Sequence, residues 1–124
     1  MMRNVENGKT DSFTQKYLVN ANPRKGVGFS TMVADTRGAD KKKIGATIRR
    51  MPYRDFCNTL CWKLVALQVK HDAGYRCKKC GSRHGLVVHH LNYRILGYEM
   101  YHLDQLECLC GTCHEELHGI KGKG

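Results

Sequence analysis

The chain has 124 residues and a mass of 14.1 kDa, with 21 Lys and Arg against 11 Asp and Glu, a formal net charge of +10 and a pI near 9.4. A chain of this length holds one domain and a small core, which commonly needs a staple, and so large a positive excess points to a polyanionic partner, usually nucleic acid. No run approaches the ~20 apolar residues of a membrane span, and no apolar stretch precedes a small-residue cleavage site, so a membrane protein is excluded and a cytoplasmic location without a secretion signal is expected. Seven cysteines are an odd number in such a chain, which favours metal binding over a disulfide framework.

Residues 1–50 carry 11 basic and 4 acidic residues, whereas residues 51–124 carry 10 and 7. The first part has scattered glycines, a Lys41-Lys42-Lys43 run and no sustained hydrophobic period beyond a short turn around Phe13, Tyr17, Leu18 and Val19. It reads as a flexible basic arm, either contacting phosphates or serving as a solvated tail. The texture changes at Pro52. Phe56, Leu60, Leu64, Leu67 and His71 recur at steps of three or four, which predicts one amphipathic helix of about 18 residues ended by Gly74. Cys57 and Cys61 fall one turn apart on it and read as small buried hydrophobes.

Two C-x-x-C knuckles follow, Cys77–Cys80 and Cys110–Cys113, separated by 29 residues. Each such turn presents two thiolates to one side, and two turns complete the four-ligand tetrahedron that Zn²⁺ prefers. The structural zinc expected there is the staple that the small core needs, and Cys108 is expected to be a buried strand residue. Between the knuckles, Leu86-Val87-Val88 reads as a strand that ends in His89-His90. Neighbouring side chains on a strand face opposite ways, so the two histidines suit two different roles, one ligand and one base. A loop over 92–104, a short strand around Leu106–Leu109 and a short helix after the second knuckle complete the order. On that helix His114 and His118 stand at i and i+4, where two imidazoles can grip one cation. His71, His84 and His102 have no such spacing and read as surface or capping residues.

His89-His90, fourteen residues, Gln105, eight residues and His114, set among the four knuckle cysteines, resembles the HNH endonuclease family of the ββα-metal fold, in a zinc-knuckle form like bacterial and phage members. Tyr93, Gly97 and Glu99 in the loop and the Asp104-Gln105-Leu106 step agree with it, and the resemblance spans roughly residues 52–118. It implies an α+β fold: a ββα-metal domain over 51–124 with a four-cysteine structural zinc site, preceded by the amphipathic helix and the basic arm over 1–50.

The resemblance also implies roles. His90 matches the general base that deprotonates water, and His89 and His114 match ligands of one catalytic divalent cation (Mg²⁺, Mn²⁺, Ni²⁺ or Zn²⁺). His118 matches a third ligand found in the three-histidine branch. Gln105 stands where the family usually has Asn, a residue that fastens the loop and helps to orient the base. Arg76, Lys78, Lys79, Arg83 and Arg94 are expected to contact phosphates, with DNA as the partner and weak sequence selectivity. A homodimer, or phage or mobile-element machinery, is the further assembly expected. The implied activity is metal-dependent hydrolysis of DNA phosphodiester bonds, by nicking or double-strand cleavage. The alternative is a non-catalytic zinc-stabilised DNA-binding or adaptor module derived from such a nuclease.

Overall fold

A computed structural model of the chain describes residues 12–19 and 26–118. These form an α+β arrangement that is mostly helical and contains one two-stranded antiparallel sheet. The chain divides into two compact units, Met1–Leu64 and Val65–Gly124.

The expected basic arm is helical where it is described. A π-helical turn covers Thr14–Val19, α1 covers Phe29–Asp35 and α2 covers Lys41–Arg50. Phe13, Tyr17, Leu18, Met32, Ile44 and Ile48 are buried. Sparse apolar residues suffice here because the two in α2 lie four apart, on the same face, with Gly45 buried beside them. Asp40 caps α2 by accepting the Lys43 N–H at 3.2 Å, and the Tyr17 hydroxyl donates to Asp35 at 2.5 Å. No long hydrophobic period is visible because each element is short. Residues 1–11 and the segment 20–25, which the sequence assigns to the same arm, lie outside the described residues.

The single helix predicted from Pro52 is instead two, α3 over Tyr53–Cys57 and α4 over Leu60–Asp72. Thr59 makes the break. Its hydroxyl accepts the Trp62 N–H at 3.1 Å and donates to the Phe56 carbonyl at 2.7 Å, so it caps α4 while closing α3. The break shifts the helical phase. Cys61, Leu64, Val65 and Val69 are buried on α4, whereas Leu67, placed in the buried stripe by the spacing, is 54% exposed. Cys61 is buried and Cys57 half-buried, as small hydrophobes are, and neither joins a metal-binding cluster among the described residues. The end of α4 matches expectation: the Tyr75 N–H reaches the Lys70 carbonyl at 2.8 Å and the Gly74 N–H the His71 carbonyl at 2.9 Å, a Schellman closure.

In the second unit β1 (Leu86–His90) pairs antiparallel with β2 (Leu106–Cys110), and α5 (Gly111–His118) follows at once. The register sets Leu86 against Cys110 and His89 against Glu107. The intervening loop is not irregular; it runs through three 3₁₀ turns, Tyr93–Ile95, Glu99–Tyr101 and Leu103–Gln105. Leu109, Cys77 and Cys110 form a buried cluster against which Leu86 and Cys113 pack, and Cys108 is buried on β2 as predicted. No described helix is long and apolar enough to cross a membrane.

Candidate metal centres

The four knuckle cysteines converge. Cys77 lies just after α4, Cys80 closes the first turn, Cys110 ends β2 and Cys113 sits in the first turn of α5. Their sulfurs all lie within 4.8 Å of one another, with Cys80 and Cys110 at 3.6 Å. Four sulfurs around one Zn²⁺ at ~2.3 Å stand about 3.8 Å apart, so the cluster fits a structural zinc site. Backbone amides already point at these sulfurs: Lys79 N–H and Cys80 N–H at Cys77 Sγ (3.4 and 3.5 Å), and Cys113 N–H at Cys110 Sγ (3.4 Å). Gly81 allows the first turn to close, holding φ at +80° while its N–H returns to the Cys77 carbonyl.

The thiols answer to this crowding in opposite directions. Burial raises the Cys77 thiol, but the backbone amides aimed at it outweigh that effect and bring it down to about 6. Cys113, hydrogen-bonded to Cys110 and partly buried, is pushed up to about 12. A divalent cation removes this conflict, because it favours the thiolate at every ligand.

The second cluster is made of imidazoles. His89 comes from β1, and His114 and His118 come from successive turns of α5. Their ligating nitrogens lie within 4.8 Å of one another, and the Nε2 atoms of His114 and His118 are 3.1 Å apart. Two nitrogens on one tetrahedral cation at ~2.05 Å stand about 3.3 Å apart. The His89 ring meets those of His114 and His118 edge-on, with centroids at 5.3 and 5.0 Å. His89 Nδ1 is buried with no hydrogen-bond partner among the described residues, and His90 Nδ1 is buried as well. Burial holds His89 below the usual imidazole range, with the charges of His114 and His118 adding to it. His114 is lowered by the same two effects, burial first and His118 second. Neutral imidazole is the form that binds metal.

His90 faces the other way, as the alternation along β1 requires. It is almost wholly buried. Its Nε2 lies 3.0 Å from Glu99 Oε2, in a pair whose side chains are 1% and 2% exposed, and the Tyr93 ring stacks on it at 4.8 Å and 19°. Glu99 Oε1 accepts the Gly97 N–H at 2.9 Å, at a glycine whose φ of +96° few other residues adopt. Sequence reasoning noted Glu99 without giving it a role. The available signal was a glutamate two residues after a glycine in a loop otherwise rich in aromatic and apolar residues.

Gln105 does not meet His90 through its side chain. Its amide donates to Asp104 at 3.2 Å, and its backbone carbonyl accepts the Leu91 N–H at 2.8 Å, extending the strand ladder by one bond. Arg76, Lys78, Lys79, Arg83 and Arg94 are all exposed, as are His71, His84 and His102. Arg76 and Lys78 also line a cavity of about 580 Å³ together with Asp72, Asp104 and Glu107. No protein-family model, curated protein or solved structure matches the chain.

Proposed function

We propose that the chain is a metal-dependent endonuclease of the HNH type, hydrolysing DNA phosphodiester bonds with water activated by His90 and one divalent cation held by His89, His114 and His118. The observation that carries this reading is the division of labour along β1. One histidine of an adjacent pair joins two imidazoles of α5 around a cation-sized space, while the next is buried against a carboxylate on the opposite face. The resemblance in sequence spacing agrees with it.

A bound cation supplies Lewis-acid stabilisation for the charge that builds on the phosphoryl oxygens and the leaving 3′-oxygen. The chain's residues do the rest. His89, His114 and His118 would hold the cation, His118 being the exposed member of the three. His90 accepts the proton of the attacking water, a task for which imidazole is suited near neutral pH. Arg76, Lys78, Lys79, Arg83 and Arg94 supply exposed positive charge for neighbouring phosphates. The products are a 5′-phosphate and a 3′-hydroxyl. The four-cysteine zinc site takes no part in the chemistry and fixes α5 against the sheet. DNA is the partner proposed, in a bacterial or phage-infected cell, with dimerisation or a phage or mobile-element machine as the means of cutting both strands.

The test is a supercoiled-plasmid assay with Mg²⁺, Mn²⁺, Ni²⁺ and Zn²⁺ in turn, run beside His90→Ala. Metal-dependent nicking that falls at least ~100-fold in the folded variant is expected. Folded wild-type protein that shifts DNA on a gel yet cuts with none of these metals would replace this reading with that of a non-catalytic DNA-binding module.

A further inference from the structure

The helix α2 carries five cations and no carboxylate, and all five cations are exposed. Ile44, Gly45 and Ile48 are its buried residues. At 3.6 residues per turn, Lys42, Lys43, Arg49 and Arg50 fall within about 120° of one another, on the side opposite that buried face. They make two pairs, Lys42 with Lys43 and Arg49 with Arg50, set two turns or about 10 Å apart along the axis. Helix stability does not account for this pattern. Arg49 and Arg50 suit the negative end of the helix dipole, but Lys42 and Lys43 stand in the first turn, at its positive end. The acidic residues that precede the helix are engaged elsewhere. Asp40 turns its carboxylate to the Lys43 backbone N–H, and Asp35 takes Lys16 Nζ and the Tyr17 hydroxyl.

The first unit holds 13 basic residues against 5 acidic, whereas the second, which carries both metal-binding clusters, holds 8 against 6. In that second unit Arg76 and Lys78 share their cavity with Asp72, Asp104 and Glu107. No such carboxylates interrupt α2.

Resting on the nuclease reading above for the choice of DNA, we propose that the basic face of α2 is a docking surface for duplex DNA, gripping phosphates on both sides of a groove, so that one unit anchors the substrate and the other carries the metal centres. The spacing of the two cation pairs, about 10 Å, is close to the ~12 Å width of the major groove of B-DNA. A basic amphipathic helix also suits an anionic membrane surface. Here, however, the apolar side is spent on the core, with Ile44 3% and Ile48 2% exposed, and nothing is left to enter a lipid layer.

The test compares two charge-matched variants of the full, zinc-loaded chain. Lys43→Gln/Arg50→Gln removes one cation from each end of α2, and Arg37→Gln/Arg54→Gln removes two exposed cations outside it. Glutamine matches lysine and arginine in helix propensity, and dispersed amide resonances check that both variants fold. Fluorescence anisotropy on a duplex, without added divalent cation, is read between about 50 and 200 mM salt. In the α2 variant the slope of log affinity against log salt is expected to shrink by about 1.8, the share of two contacts, with affinity near 0.1 M salt about 10- to 100-fold weaker. The single change Lys42→Gln is expected to shrink it by about 0.9. The control variant should lose less than one contact's share.

A folded α2 double variant whose slope shrinks by less than one contact's share overturns the proposal. So does an equal fall in the control, which would make net charge rather than this face the cause. Vesicles of anionic phospholipid that bind the wild type more tightly than the duplex does, and lose that binding in the α2 variant, would assign the face to a membrane and overturn it as well. Failure of the nuclease reading is a separate result, since anisotropy needs no cleavage: a plasmid left intact with every metal while the α2-dependent slope persists.

Discussion

His89 and His90 are adjacent in sequence and inhabit different chemical surroundings. His89 turns towards two further imidazoles, and burial together with their charge holds it below the ordinary imidazole range; His114 is lowered in the same way. The sign of the consequence follows. The lowering favours neutral rings at pH 7, so any cation held there is expected to load fully above about pH 6.5 and to be lost as the pH falls through the lowered values. Folding stability without the cation moves in the same sense, because below about pH 6.5 the unfolded chain binds protons that the folded one resists. Calorimetric titration of the zinc-loaded protein with Ni²⁺ at pH 7.5 and pH 5 is expected to show a clear loss of affinity at the lower pH. Equal affinity at both would mean that the three histidines are not the ligands. The His-His pair, its alternation and the i, i+4 pair on α5 were all legible in the sequence, because strand and helix periods are local properties. The Glu99 contact was not. It depends on how three 3₁₀ turns fold the loop back on β1, and no local period encodes that.

At the scale of elements, the second unit was far more legible than the first. C-x-x-C turns announce their geometry in four residues, and a β-branched run ending in two histidines announces a strand. The helices at Phe29–Asp35 and Lys41–Arg50 give no such signal, since each is too short for a hydrophobic stripe to repeat. The α3–α4 break was missed for a related reason: the spacing of Phe56, Leu60 and Leu64 continues across it, and only the Thr59 hydroxyl stops the ladder. The knuckles bring Cys77 and Cys80 beside the end of β2 and the start of α5. The first is tied to β2 by the Lys78 N–H on the Cys108 carbonyl at 2.9 Å, and the second leads straight into α5. Cys80→Ser is therefore expected to disrupt the β2–α5 segment and give poorly folded protein, read as loss of dispersed amide resonances. His114→Ala should keep them. On the proposed nuclease reading, graded chelation should remove nicking before it removes structure, because four thiolates would hold zinc more tightly than three imidazoles would hold a cation. Simultaneous loss of both would argue that one ion serves both roles.

Over the whole molecule, the +10 charge is the property most relevant to a polyanionic partner. Most of it lies in the first unit: residues 1–64 carry 13 basic and 5 acidic residues, residues 65–124 carry 8 and 6. Five of the ten residues of α2 are basic and exposed, and the five cations nominated around the metal centres are exposed as well. Binding to duplex DNA is expected to weaken steeply with salt. Five phosphate contacts correspond to a slope of about −4 to −5 in log affinity against log salt concentration. Fluorescence anisotropy between about 50 and 200 mM salt measures it, and a flat response would remove charge as the basis of binding. Such contacts position a protein on DNA without reading bases, so similar slopes are expected on unrelated duplexes.

The eight residues of α5 carry Cys113, His114 and His118 directly behind Cys110 at the end of β2. During synthesis the first knuckle and the His-His strand leave the ribosome with only part of each ligand set, and neither set can close until this one helix follows. Both metal centres are thus completed by the same stretch of translation. A chain released before Gly111 would keep His89, His90 and Glu99 yet lack Cys113, His114 and His118, so neither candidate ligand set could close in an abortive product.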